Sequence, residues 1–156
     1  MNDLLEDLRR HFADRLTLLE PFGQHVAHLL YAADIVDVVS LLKARGFSLL
    51  LDVTAVDRLG REPRFDVVYH LYHLELKDWL RLKLQVGGDP PEVPSVTSLF
   101  KAANWAEREV YDMFGIVFRG HPDLRRILMP DDWQYHPLRK DYPITGVGPL
   151  PPLARE

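Results

Sequence analysis

Cysteine is absent from the 156 residues. Iron–sulfur clusters are held chiefly by cysteine thiolates, so the chain has no ordinary means of carrying one. Disulfides and thiol nucleophiles are excluded as well, and a cysteine-free chain fits a reducing compartment. Long apolar runs are also missing. A membrane span needs about 20 mostly apolar residues, and the most apolar stretches are broken by His28, Asp34, Asp37 and Asp52. The N-terminus carries Asp3, Glu6 and Asp7, where a signal peptide would place positive charge and an apolar run. Positive charge is not in excess: the formal net charge is -4, which argues against a nucleic-acid partner. Nucleotide loops are lacking too. Gly146-Val147-Gly148 is the one G-x-G; it lies among prolines with no strand before it, a context that rejects a dinucleotide fingerprint.

What is present suits a globular body. Hydrophobic residues make up 47% and charged residues 27%, and a chain of this length hides roughly two thirds of its unfolded surface on folding. Leu4, Leu5, Leu8 and Phe12 recur at helical spacing, with acids leading and Arg9, Arg10 and Arg15 closing, as the helix dipole favours. Short strands are expected over 16–20 and from 25 to 31, separated by a turn at Pro21 and Gly23. Asp34 stands at an N-cap position before Ile35, Val38, Val39 and Leu42, and Gly46 where a glycine closes a helix. Runs over 47–56, 65–74 and 79–86 read as an antiparallel meander. A helix is expected over 96–103. Another should start at a capping box in which Glu107 reaches back to Asn104, with Ala106, Val110, Met113, Phe114 and Val117 on its apolar face.

Beyond Arg119 the character changes. Seven of the 12 prolines fall between Pro122 and Pro152, and Leu124, Ile127, Leu128, Trp133, Tyr135, Leu138 and Tyr142 follow no period. So long a structureless stretch is unusual inside a domain, yet a disordered tail rarely carries so many large apolar side chains. The reading is an α+β body, 1–118, with a small antiparallel or mixed sheet and helices on one face. An extended proline-rich C-terminal arm, 119–156, follows and gains its burial from another surface, its stiffness lowering the entropy lost on docking.

Metal chemistry finds little support. His70 and His73, like His25 and His28, are three apart on strands and point to opposite faces, whereas a metal needs three or four convergent ligands. His121 and His136 precede prolines and could orient partner groups or bind a metal with Asp131 and Asp132; without cysteine or a helical His pair, the expectation is hydrogen bonding that fixes loop geometry. Arg108 and Asp112 are four apart and can pair on one helix face. Arg125, Arg126, Arg139 and Lys140 are interleaved with Asp123, Asp131, Asp132 and Asp141, so acidic partner residues are a better target for them than phosphate. No nucleophile or substrate pocket is indicated.

Three ordered runs carry a resemblance. They are Glu107-Arg108-Glu109-Val110-Tyr111-Asp112-Met113-Phe114-Gly115-Ile116, then Gly120-His121-Pro122-Asp123-Leu124-Arg125-Arg126-Ile127-Leu128, then His136-Pro137-Leu138-Arg139-Lys140-Asp141-Tyr142-Pro143. In this order and spacing the chain resembles the C-subunit family of proton-translocating NADH–quinone oxidoreductase, respiratory complex I. The resemblance implies a structural, non-catalytic component of the peripheral arm, on the cytoplasmic side of the inner membrane. It implies no cofactor in this chain, with FMN and iron–sulfur (Fe-S) clusters in partner subunits that pass electrons from NADH to quinone. The implied partners are chiefly the quinone-site D-subunit, with the cluster-bearing B- and I-subunits nearby. The implied contact residues are those of the three runs: Glu107, Arg108, Glu109, Tyr111, Asp112, Phe114 and Gly115; His121, Pro122, Arg125 and Arg126; His136, Pro137, Arg139, Lys140, Asp141, Tyr142 and Pro143. An equivalent component of a membrane-bound hydrogenase or ferredoxin-linked complex is the alternative, and a freestanding nucleic-acid-binding module the third reading.

Overall fold

A computed structural model describes residues 2–19 and 25–147, with side chains from Glu6 onward. The turn expected at Pro21 and Gly23, the side chains of Leu4 and Leu5, and residues 148–156 lie outside that set. Helix α1, Asn2–Phe12, leads to strand β1, Leu16–Leu19, and strand β2, His25–Leu29. Helix α2, Ile35–Ala44, precedes three nine-residue strands: β3, Leu49–Asp57; β4, Phe65–His73; and β5, Asp78–Val86. Strand β6, Glu92–Pro94, helix α3, Ala103–Phe114, and strand β7, Val117–Arg119, complete the body.

The main sheet runs β1-β2-β5-β4-β3. The meander β3-β4-β5 is antiparallel, as its alternation predicts. Strand β2 pairs with β5 in parallel, so the chain must cross from one side of the sheet to the other between β2 and β3. Helix α2 makes that crossing and buries Ile35, Val38, Val39 and Leu42 on the way. One sheet face is the core: Val53, Val67, Tyr69, Leu71, Leu80, Leu82 and Leu84 alternate inward. The other carries Thr54, His70, Arg81 and Lys83, partly exposed, with Asp66 and Val68 of β4 buried beside them. This one-sided burial is the habit of antiparallel sheets. His70 and His73 fall on opposite faces, His73 packing edge-on against Phe47.

Four local expectations change. Of the residues expected as a helix over 96–103, 97–99 and 101–102 form turns and Ala103 already belongs to α3. Ser95 competes for the backbone there, its Oγ accepting the Thr97 N–H at 3.2 Å. Helix α3 begins at Ala103, so Asn104 makes no cap. Asp34 holds the N-cap position of α2 without capping it, because its Oδ1 accepts Arg15 Nη1 at 2.8 Å. Val117 leaves the α3 face for β7, where it lies opposite Glu92 in a two-stranded parallel ribbon. Gly46 does close α2, at φ +97°.

Candidate docking surface

The site is built on the last turns of α3. Asp112 is fully buried there and gathers residues far along the chain. Its Oδ1 accepts Arg126 Nη1 at 2.5 Å, while Oδ2 accepts the backbone N–H groups of Ile127, Leu128 and Met129 at 3.0, 2.8 and 2.9 Å. Burial pushes this carboxyl up. The N–H of Met129, the Arg126 guanidinium and the N–H groups of Leu128 and Ile127 outweigh burial and hold it below the usual carboxylate range. One helical turn back toward the N-terminus, Arg108 donates from Nε to Arg125 O at 3.1 Å and from Nη2 to Arg126 O at 2.9 Å. Its guanidinium also lies 5.1 Å from the exposed Trp105 ring. Arg108 and Asp112 therefore do not pair with each other. Each faces the segment 119–147, because three amides and a guanidinium outbid one flexible neighbour.

The same segment caps the helix. A helix end leaves its last carbonyls without intrahelical donors. Here His136 Nδ1 donates to Asp112 O at 3.0 Å, Leu138 N to Met113 O at 3.1 Å and Arg139 Nε to Phe114 O at 2.5 Å. A carbonyl only accepts, so His136 carries its proton on Nδ1. Burial chiefly, with the nearby arginines, keeps that imidazole below its ordinary value and neutral. Cations at this end also suit the helix dipole. Gly115 turns the chain at φ +74°, and a Cβ there would meet Arg139 Nη2 and His136 Nε2 at 2.5 Å. Tyr111 stacks edge-on against His136 at 6.2 Å.

A second anchor lies at the β3–β4 end. Arg64 grips Asp57 through Nε and Nη2 at 2.9 and 2.7 Å, and Asp141 through Nη1 and Nη2 at 3.0 and 2.8 Å. Lys140 N donates to Asp57 Oδ2 at 2.8 Å. The Arg64 guanidinium holds both carboxyls below the usual range. Sequence reading missed Asp57 and Arg64. The hairpin register, which sets Asp57 opposite Phe65, places them side by side and was the available signal.

The segment 119–147, expected to gain its burial from another surface, instead lies back on its own body, with Leu124 and Met129 packed against the core. Arg126, His136 and Arg139 turn inward, while Leu128, Tyr135, Leu138 and Ile144 face out at 61, 48, 54 and 105% exposure. Trp133, Tyr135 and Tyr142 form a chain of ring contacts across the outside, at 6.0 and 6.4 Å. Arg126 and Arg139, expected to meet acidic residues of a partner, are engaged within this chain, and Arg125 pairs with Asp123 at 2.9 Å. Of the other motif residues, Glu107, Phe114 and Gly115 are enclosed, and Pro137 is half-buried. His121 accepts the Asp123 N–H at Nδ1 and donates from Nε2 to Asn104 O at 3.1 Å. Glu109, Pro122, Lys140 and Pro143 are exposed.

The aspartates set an acid limit. Asp57, Asp112 and Asp141 all lie below their ordinary value of 3.8 in the folded chain. A depressed carboxyl adds stability that is full above its unfolded value and is lost as pH falls through the folded one. Unfolding free energy should therefore decline from about pH 4 downward. The decline should be shallower in Asp57→Asn/Asp112→Asn, measured by denaturant titration at each pH.

Among the described residues no helix is long and apolar enough to cross a membrane, and no three His, Asp or Glu side chains converge as a metal would need. The C-subunit of NADH-quinone oxidoreductase from Geobacter metallireducens is 49% identical over 92% of this chain and 90% of its own length. Its counterpart from Geobacter sulfurreducens is 48% identical over 89% of this chain and 87% of its own. Among solved structures, a trypsin-resistant fragment of Nqo5 matches with a TM-score of 0.70 and 34% identity, over 79% of this chain and 98% of that one. A chain of the membrane-bound sulfane sulfur reductase, an archaeal respiratory membrane complex, matches at TM-score 0.79 and 26% identity, over 92% of this chain and 85% of that one. Residues 29–147 fit the family described as respiratory-chain NADH dehydrogenase, 30 Kd subunit, and the chain belongs to that family.

Proposed function

We propose that this protein is a structural component of the peripheral arm of an NADH–quinone oxidoreductase. In this reading it supports the quinone-site D-subunit, with the B- and I-subunits nearby, on the cytoplasmic side of the inner membrane. Flavin and iron–sulfur centres belong to its partners, in keeping with a chain that has no cysteine. The observation that carries the reading is that residues 119–147 are tied to α3 and β3 through Arg126, His136, Arg139 and Lys140 while Leu128, Tyr135, Leu138 and Ile144 stay exposed on the outside. Such a surface loses little entropy on docking, because its backbone is already fixed. Large exposed aromatic and aliphatic side chains on a fixed backbone are the usual anchors of an interface.

The test is co-expression with the neighbouring subunits and capture of the complex. Leu138→Asp together with Tyr135→Ala should lower recovery of the quinone-site partner about 30-fold or more, with the unfolding transition of the isolated chain unchanged. Full recovery would remove the docking role from this face. A second reading places the chain in a related respiratory membrane complex, as its likeness to the sulfane sulfur reductase chain suggests. Co-purification of an NADH-binding flavoprotein separates the two.

A further inference from the structure

Glu107 lies outside the docking contacts and is fully buried. Among the described residues no cation pairs with it. Its contacts are Ser95 Oγ, which donates to Oε2 at 2.6 Å, and Val96 N, which donates to Oε1 at 2.8 Å. A carboxylate enclosed without a counter-charge is unfavourable, and such a group takes up a proton instead. Ser95 is buried as well, and its Oγ lies 2.8 Å from Thr97 Oγ1. Thr97 is half-buried and lines an open cleft of about 570 Å³ with Ser98, Lys101, Asn104 and Trp105. Two hydroxyls therefore link an enclosed carboxyl to solvent.

We propose that Glu107, Ser95 and Thr97 form a proton-binding site, in which the carboxyl holds a proton in the folded chain near neutral pH and exchanges it with the cleft through the two hydroxyls. In the ionised form Thr97 O–H donates to Ser95 Oγ and Ser95 O–H donates to Glu107 Oε2. In the protonated form every donor reverses: the carboxyl O–H donates to Ser95, Ser95 to Thr97, and Thr97 to water. Each hydroxyl gives one proton and takes one, so a single proton passes between carboxyl and water and only O–H bonds change.

The surroundings favour the neutral form. Burial pushes the Glu107 carboxyl up to about 7 against the pull of Ser95 and Val96. Tyr69 of β4 is the titratable group that faces it. That phenol is enclosed and has no hydrogen-bond partner among the described residues; burial first, and the Glu107 charge second, keep it un-ionised. Charged groups on the other packed elements are engaged elsewhere: Asp57 of β3 with Arg64, Glu92 of β6 with Arg119 of β7, Lys43 of α2 with the Leu99 carbonyl, and Arg108 and Asp112 with the segment 119–147. Among the described residues no positive charge is paired with the Glu107 carboxyl.

The experiment is a carboxyl carbon NMR titration of the full chain. One glutamate should titrate near pH 7 and be about half protonated there, where an ordinary glutamate is less than about 1% protonated. Glu107→Gln should remove that resonance and so assign it. A raised carboxyl adds stability below its unfolded value that is lost as pH rises through the folded one. The wild type should therefore lose stability relative to Glu107→Gln between about pH 4.5 and 7. Thr97→Val leaves the Glu107–Ser95 pair in place and should slow proton exchange at least tenfold, on the order of one added barrier step, seen as line broadening without a shifted midpoint. A Glu107 midpoint below about 5.5 would overturn the site, and unchanged exchange in Thr97→Val would overturn the route. If Glu107→Gln fails to fold, the wild-type titration still decides the first point.

Discussion

Asp112→Ala should lower the unfolding free energy by about 3–5 kcal/mol, the range seen when one partner of a buried charge pair is removed. The size of the loss follows from what the substitution leaves behind. Arg126 is only 10% exposed at its side chain, and its remaining contact to the Asp112 carbonyl is long, at 3.3 Å. The N–H groups of Ile127, Leu128 and Met129 lose their common acceptor at the same time, and each unsatisfied buried donor costs about 1–3 kcal/mol unless water reaches it. Asp112→Asn separates these effects. An amide oxygen still accepts from the backbone, but the charge opposite Arg126 is gone, so the loss should be about half as large. Denaturant unfolding measures both variants. Limited trypsin digestion should show cleavage after Arg125 or Arg126 in Asp112→Ala well before the body is cut. A loss under about 1 kcal/mol for Asp112→Ala would mean that the knot orders the segment without stabilising the fold.

What the sequence discloses and what it hides follow from contact range. Period-two alternation marks β5, apolar runs bounded by turn residues mark β3 and β4, and period 3.6 marks α2, because each pattern expresses burial decided within a few residues. The pairing of β2 with β5 joins residues more than fifty apart and leaves no local trace. The capping box fails for a reason visible in the spacing: Ala103, Glu107, Val110 and Phe114 recur on one helix face, so Glu107 points into the core and its carboxyl meets Ser95 and Val96. The Arg108–Asp112 pair was a sound local inference. It gives way to partners 14 to 18 positions downstream, which local reasoning could not weigh. Many residues of the three motif runs hold the chain's own segment in place, a contact between distant stretches that no spacing announces. Tyr135 and Ile144, lying outside those runs, form part of the outer surface.

Gly115→Ala should cost about 2–4 kcal/mol, while Gly120→Ala, its internal control, should cost about 1 kcal/mol. Both glycines sit in the left-handed region, at φ +74° and +81°, so both alanines bear the same backbone penalty. They differ in surroundings. Among the described residues nothing lies within 4 Å of a Cβ at Gly120, whereas at Gly115 it would meet His136 Cδ2 at 2.6 Å and Arg139 Nη2 at 2.5 Å. Those side chains must move, and moving them breaks the bonds from His136 to Asp112 O and from Arg139 to Phe114 O. The last carbonyls of α3 then lose their donors, and Leu138, which faces outward beside them, loses its fixed position. Gly115→Ala should therefore reduce recovery of the neighbouring subunits in the co-expression assay, while Gly120→Ala should not. Equal destabilisation of the two variants would show that the fit of residues 136–139 over the helix end adds nothing, and that the outer face is not held from beneath. The difference between the two glycines thus isolates the path from a left-handed turn, through a helix cap, to the surface offered to a partner.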